Sequence, residues 1–370
     1  MKITIIGAGP VGCYTASLLK HYGIDSLIIE EHKEVGRPVQ CAGIVGREVF
    51  EDLVLPLSKR SIVNQIDGAI VCFGDDNFSI KKEGVAYVID REVFDRELSK
   101  GLNIEYNTKF LGFERGNSGY LIRTDRGNFY SDIIIGADGV NSLVRRAVKL
   151  PADIRYYKGV QFRIRTKPKR GNLAEVHFKS SLFSWVVPEG NGIIRVGALL
   201  GKRDRDSGNF IEDLGIRGEI LDKIGGLIPV GYFDIAKENI TLVGDAACQV
   251  KPLTGGGIYY GLKSAQILAQ CIKDGRLASY DRDWKKLFGR EIRFGLMARR
   301  ILEQAGDKTL GVLFNLAKEN SNLISEIGDF ENHSSVFWGL IKDPKTYKIV
   351  ASLLKITNLN DWKRRLTMSL

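Results

Sequence analysis

Gly7, Gly9 and Gly12 stand in the spacing Gly-x-Gly-x-x-Gly within Gly7-Ala8-Gly9-Pro10-Val11-Gly12. That spacing suits a backbone that must approach a pyrophosphate: Gly7 permits the tight turn, Gly9 admits the phosphates and Gly12 allows close packing. The residues on either side supply the context such a turn needs. Lys2 to Ile6 is a short β-branched run that predicts a buried parallel strand, and Cys13 to Lys20 has helical content. The helix would offer its free N–H groups and positive dipole end to phosphate. Ser26 to Ile29 predicts a second strand, ending at Glu30, which stands where a carboxylate would accept hydrogen bonds from the adenosine ribose. A dinucleotide is therefore expected; FAD and NAD stay equally open on these residues.

Three later segments carry further chemistry. Asp90 begins a predicted helix with Phe94 and Leu98 on one face, and Arg91 follows it with a guanidinium fork suited to a diphosphate. Taken alone, Arg91 also reads as a helix-start arginine in an ion pair. Ile133-Ile134-Ile135-Gly136-Ala137-Asp138-Gly139 runs from strand to turn. The stretch from Asn239 to Val243 does the same into Gly244-Asp245-Ala246-Ala247. Asp245 at that strand end suits a polyol hydroxyl. Pro252-Leu253-Thr254-Gly255-Gly256-Gly257-Ile258 then opens a helix predicted from about Tyr259 to Ile272, giving a second cluster of free N–H donors.

The elements that position these groups need a large chain, and 370 residues suffice for two or three domains. With 44% hydrophobic and 26% charged residues the composition is that of a soluble globular protein. The five cysteines form no CxxC pair and the four histidines no HxxxH pair, so no metal site is expected. No apolar run is long enough to span a membrane. No signal peptide is read at the start, and a reducing, cytoplasmic setting fits the cysteines.

Taken as an ordered set, GAGPVG, DREVFDREL, GADG and GDAACQVKPLTGGGI resemble the FAD-dependent fold of aromatic hydroxylases. Within that superfamily the chain is similar to the geranylgeranyl reductases, notably the archaeal digeranylgeranylglycerophospholipid reductases. The loop Gly36-Arg37-Pro38-Val39-Gln40-Cys41-Ala42-Gly43, the segment Pro252 to Tyr260 and Phe183-Ser184-Trp185-Val186-Val187-Pro188 carry that narrower likeness, which runs to about residue 302. Cys248-Gln249 departs from it, standing where small residues are usual.

The resemblance implies FAD as cofactor, contacted by Gly7, Gly9, Val11, Gly12, Glu30, Cys41, Ala42, Arg91, Phe110, Asp245, Gly257 and Ile258. It implies Phe183, Trp185 and Pro188 as substrate residues. Cys41 and Tyr259 are the expected catalytic, proton-path residues, with Tyr260 in reserve. The implied reaction is reduction of isoprenoid C=C bonds in a membrane lipid or prenyl compound. An external electron donor (ferredoxin, NAD(P)H or another) would feed it. An FAD monooxygenase using NAD(P)H and O₂ and an FAD electron-transfer protein are the alternatives.

The fold class expected is α/β, α+β overall. A Rossmann-like FAD domain (1–58, 85–150 and 236–275) carries an inserted antiparallel β-sheet substrate domain (59–84 and 151–235). A C-terminal helical region (276–370) follows. Alternating segments at Tyr157–Arg165, Glu175–Phe178, Phe183–Val187 and Ile193–Ala198, with Ile66–Phe73, predict the sheet. Phe162, Phe178, Phe183 and Trp185 are read as lining its apolar channel. From Tyr280 onward, Trp284, Leu287, Phe288 and Ile292 predict a packed helical stripe. Lys285, Lys286, Arg290, Arg293, Arg299 and Arg300 decorate the other faces, and Trp362-Lys363-Arg364-Arg365 repeats the theme. With a net charge of +10 these basic faces suggest an anionic lipid surface, at the inner face of the membrane, as a peripheral partner. No nucleic-acid motif is present.

Overall fold

The computed structural model describes residues 1–39, 41–179, 182–200 and 210–342. Gln40 and the basic run at 362–365 lie outside the described residues.

Short β-branched runs build a six-stranded sheet, in the order Ala236–Lys237, Ile240–Leu242, Ile133–Gly136, Ile3–Ile6, Leu27–Ile29, Ile104–Glu105. All pairings are parallel except the outermost, 236–237 with 240–242. Ile5 lies opposite both Ile135 and Ile28, and all three are fully buried, as continuous apolar strands covered on both faces must be. Helices Pro10–His21 and Ile258–Lys273 pack on this core together with Trp284, which is 0% exposed. The consequence for function is positional. The segments starting at Gly7, Glu30, Ala137 and Val243 all leave the carboxyl ends of neighbouring strands, where open parallel sheets bind nucleotides.

A three-stranded meander, Phe110–Arg115, Tyr120–Thr124 and Gly127–Ser131, fills the stretch before Ile133. The second large sheet has eight strands. Their order is Glu219–Gly231, Ile154–Arg165, Ile193–Leu200, Leu182–Gly190, Ala174–Lys179, Ile62–Phe73, Asp76–Ile89, Ile44–Gly46. The expected antiparallel sheet is present with one difference. Strand 174–179 runs parallel to 62–73, because that pair joins two segments far apart in the chain rather than a hairpin. Strand Asp76–Ile89 crosses residue 85 and ends directly at Asp90.

Helices Tyr280–Gln304, Asp307–Glu319, Ser321–Ile327 and Ser334–Lys342 form the C-terminal region. Two expectations there are corrected. Leu287 is 55% exposed, because it falls outside the contact face that Trp284, Phe288 and Ile292 line. Arg299 is not a surface decoration but is 5% exposed, turned inward against the Pro252 loop. No helix among the described residues is long and apolar enough to cross a membrane.

Candidate active site

The N-terminal turn is shaped by contacts that leave no room for side chains. Gly7 has φ +104°, where glycine is favoured, and a Cβ on Gly12 would collide with the Gly7 carbonyl. Gly9 differs: a Cβ there would meet nothing within 4 Å, so the space beside it is open to an incoming group. Glu30, 8% exposed, accepts from the Ala8 N–H at 2.7 Å through Oε2 and from His32 N at 2.9 Å through Oε1. Those bonds fix the carboxylate at the mouth of the turn. The chain before Phe110 runs alongside, with Thr108 N donating to the Glu30 carbonyl at 2.8 Å. Val11 sits where Cβ atoms on Gly244 and Gly261 would fall, so the turn packs against the Asp245 segment and the following helix.

Cys41, Arg91 and Asp245, distant in sequence, converge. Arg91 makes a two-pronged contact with Asp95 at 3.0 and 2.9 Å, and the Cys41 side chain lies near enough to act on its charge. Burial pulls its guanidinium down, but Asp95 and Cys41 more than offset this and hold it above its ordinary value. Burial raises the Asp245 carboxyl, with Arg91 as the opposing influence, and among the described residues its carboxylate accepts no hydrogen bond. Gly257 caps the helix Ile258–Lys273 beside it; a Cβ there would lie 3.1 Å from Asp245 Oδ1. An open glycine turn, a buried Glu30 fixed at its mouth, and an unengaged Asp245 beside a buried arginine together fit FAD.

Asp138, in the GADG segment, is a helix cap instead of a ligand group. It accepts from Ser142 Oγ at 2.6 Å and from the N–H groups of Leu143 and Val144. Tyr259 does not join the Cys41 group through any contact: its hydroxyl donates to Asp52 Oδ2 at 2.7 Å, and Lys263 reaches the same oxygen. Burial and Asp52 push its hydroxyl above the usual tyrosine range. Tyr260 is a packed residue, donating to the Glu331 carbonyl and lying against Phe288.

The aromatic residues divide between the two faces of the eight-stranded sheet. Phe178, Phe183 and Trp185 follow one another on one face, with ring centroids 6.2 and 5.9 Å apart. Phe183 and Trp185 pack with Tyr157, Leu199, Val230 and Val250, the last at the start of the Pro252 loop. Trp185 lies over Gly197 and donates to Gln161 Oε1 at 3.0 Å. Phe162 was expected among them but packs on the opposite face with Val186, Ile194 and Val196. Pro188 pairs with Ile194 and shares that far face, because strand alternation turns 186 and 188 away from 183 and 185.

Sequence reasoning missed the residues that hold the loops. Arg195, 7% exposed, donates to the carbonyls of Ala42 and Ile89 and to Glu189 at 2.7 Å, which Arg163 also grips. Buried Arg145 donates to the Ala246 and Val140 carbonyls. Arg299 grips the carbonyls of Pro252 and Leu253. Lys251 bonds Glu331 at 3.0 Å, and Glu331 accepts from Gly46 N at 3.0 Å. Gln249, the departure noted above, has a local reason: its Oε1 accepts from Gly244 N at 2.7 Å and its amide donates to Tyr280. The one available signal was a charged residue inside an apolar strand or loop, as at Arg195 and Lys251.

Residues 1–51 match the FAD binding domain family. An uncharacterized protein of Methanocaldococcus jannaschii is 30% identical across 92% of this chain and 94% of its own length. A digeranylgeranylglycerophospholipid reductase of Methanosphaerula palustris is 30% identical across 76% of this chain and 81% of its own. The chain belongs to the geranylgeranyl reductase family. It is an FAD-dependent oxidoreductase. A geranylgeranyl bacteriochlorophyll reductase-like protein of Thermoplasma acidophilum shares the fold, with a TM-score of 0.79, 22% identity and coverage of 95% and 98% of the two chains.

Proposed function

We propose that this family member saturates C=C bonds in the geranylgeranyl-type isoprenoid chains of a membrane lipid. The observation that carries the reading is the packing of Phe183 and Trp185 against Val250, which brings an apolar aromatic face to the loop that opens the flavin-side helix. An apolar wall with a few polar groups at its floor suits a long hydrocarbon. The names of the archaeal relatives add support.

Reduced FAD, when bound, supplies a hydride to one alkene carbon. The residues of the chain do the rest. Gly9 would admit the pyrophosphate to the helix N-terminus while Gly12 lets the helix pack against the turn, and Glu30 and Asp245 would accept hydrogen bonds from hydroxyls at the two ends of the dinucleotide. Gly257 and Ile258, at the start of the helix Ile258–Lys273, would offer backbone N–H groups to the negative charge of the reduced ring. Cys41 supplies a proton to the other alkene carbon, with Arg91 orienting its sulfur. An unactivated alkene accepts hydride poorly, so alignment against Trp185 and a proton at Cys41 must lower the barrier together. Electrons arrive from an external donor, a ferredoxin, NAD(P)H or another. The basic faces bring the enzyme to the anionic inner face of the membrane.

The test is anaerobic. The purified flavoprotein is reduced with dithionite and mixed with a geranylgeranylated lipid, and flavin reoxidation is followed beside product mass. Reoxidation with a gain of two hydrogens per event is expected. Reoxidation only after oxygen enters, with a hydroxylated product, would overturn the reductase reading in favour of a monooxygenase.

A further inference from the structure

The far face of the eight-stranded sheet carries a group of side chains that the flavin chemistry does not use. Strands Ala174–Lys179 and Ile62–Phe73 are the parallel pair, with His177 opposite Cys72. Glu175 precedes His177 by two residues, so strand alternation brings it to the same face. His177 Nε2 lies 3.2 Å from Glu175 Oε2, and one potential ligand atom from each of Cys72, Glu175 and His177 lies within 4.8 Å of the other two. All three residues are half-buried. Glu175 and His177 also line a cavity of about 220 Å³, whose rim includes Lys167, Arg170 and Arg217.

We propose that Cys72, Glu175 and His177 form a three-ligand site for a divalent cation of the zinc class, with a fourth position open to this cavity. The donor set is one sulfur, one imidazole nitrogen and one carboxylate oxygen, a combination that suits Zn²⁺ better than Mg²⁺ or Ca²⁺. Two ligands at about 2.0–2.1 Å from a tetrahedral ion stand roughly 3.3 Å apart, close to the observed His177–Glu175 separation. Thiolate and carboxylate together balance the dication, and the basic rim suits an anionic fourth ligand. The binding site spans the parallel seam where segments 62–89 and 154–231 meet, so a bound ion clips the seam. The lack of a CxxC or HxxxH pair gave no hint of this, because the ligands come together through strand pairing and not through local spacing.

The test uses the untagged full chain loaded with its flavin, dialysed against zinc and then against zinc-free buffer. About one retained equivalent per chain is expected, with one sulfur at about 2.3 Å in X-ray absorption at the zinc edge. Cys72→Ser and His177→Ala should each weaken retention at least tenfold while keeping full flavin content, and zinc should raise the Tm of the parent but not of Cys72→Ser. Cys248→Ser, altering a buried cysteine elsewhere, should retain zinc like the parent. Absence of retained zinc, or a zinc shell without sulfur in the parent chain, would overturn the proposal. Retention by Cys72→Ser equal to the parent would overturn it too.

Discussion

The turn at Gly7–Gly12 and the loop at Pro252–Gly257 both open a helix at the carboxyl end of the parallel sheet, yet they are held by opposite means. The first is held by closeness: Gly12 packs on the Gly7 carbonyl and Gly7 on Ala137, with no side chain between. The second is held by charge, with Arg299 on its carbonyls and Lys251 anchored to Glu331. The Cys41–Gly43 loop follows the second pattern, through Arg195. A turn built from closeness tolerates no added atom. A loop built from charge tolerates added atoms but not a missing partner, since a buried ion left alone is strongly destabilising.

The sharpest way to break the comparison is Gly12→Val. Its branched side chain has nowhere to go, so the purified chain should carry no flavin, read as the loss of yellow colour per mole of protein. A flavin-loaded variant would show that closeness is not the constraint. Next in size is Arg195→Met, which removes one of the two arginines on Glu189 and leaves the Ala42 carbonyl without its donor. A stability loss of about 2–3 kcal/mol in urea unfolding is expected, from buried carbonyls left without a donor. Arg163 still grips Glu189, so a double variant with Glu189→Leu should recover part of the loss by relieving the remaining carboxylate.

Asp245→Asn tests charge that serves the ligand and not the fold. Burial raises this carboxyl in the folded chain, so its ionised form opposes folding. That opposition is absent below the unfolded pKa and complete above the folded one. The variant should therefore leave the flavin-free chain equally or more stable at neutral pH. Its flavin affinity should fall by roughly 10- to 100-fold, the worth of a charged hydrogen bond of about 1.5–3 kcal/mol. A fall in stability at neutral pH would contradict the assignment.

The smallest effect belongs to Tyr259→Phe. Its hydroxyl bond holds the Asp52 carboxyl below the ordinary range, with burial opposing and Lys263 assisting. A depressed carboxyl contributes stability above its unfolded pKa and loses it as pH falls through the folded one. Solvent screens the exposed Asp52, so the variant should lose only about 0.5 kcal/mol at neutral pH and show a shallower acid limb. Single-turnover reduction should change less than twofold, whereas Cys41→Ser should slow it at least tenfold.

Legibility followed the same division. Glycines that work by closeness leave a fixed local spacing, so Gly7 and Gly12 were visible in sequence with the open Gly9 between them, as were Glu30 and Asp245 at their strand ends. The residues that work by charge left almost none. Arg299 read as one basic residue among several on a helix, because its partners lie some forty-seven residues away in the chain. The division of aromatics was half readable: alternation separates 183 and 185 from 186 and 188, but only the register with strands 154–165 and 193–200 shows that Phe162 faces away. The Cys72 seam depends on a single parallel pairing, which no turn announces.

The anchoring of the Pro252 loop by Arg299 and Glu331 also sets an order of events during biosynthesis. The glycine turn leaves the ribosome early, but the residues that grip the second loop emerge only near the end of translation. At about 5–20 residues per second, Arg299 follows Gly12 by roughly 15–60 s. For that interval the nascent polypeptide has one half of its nucleotide cradle. Tight cofactor capture is therefore a late step, and a stalled or truncated translation product should emerge colourless even though its signature motif is intact.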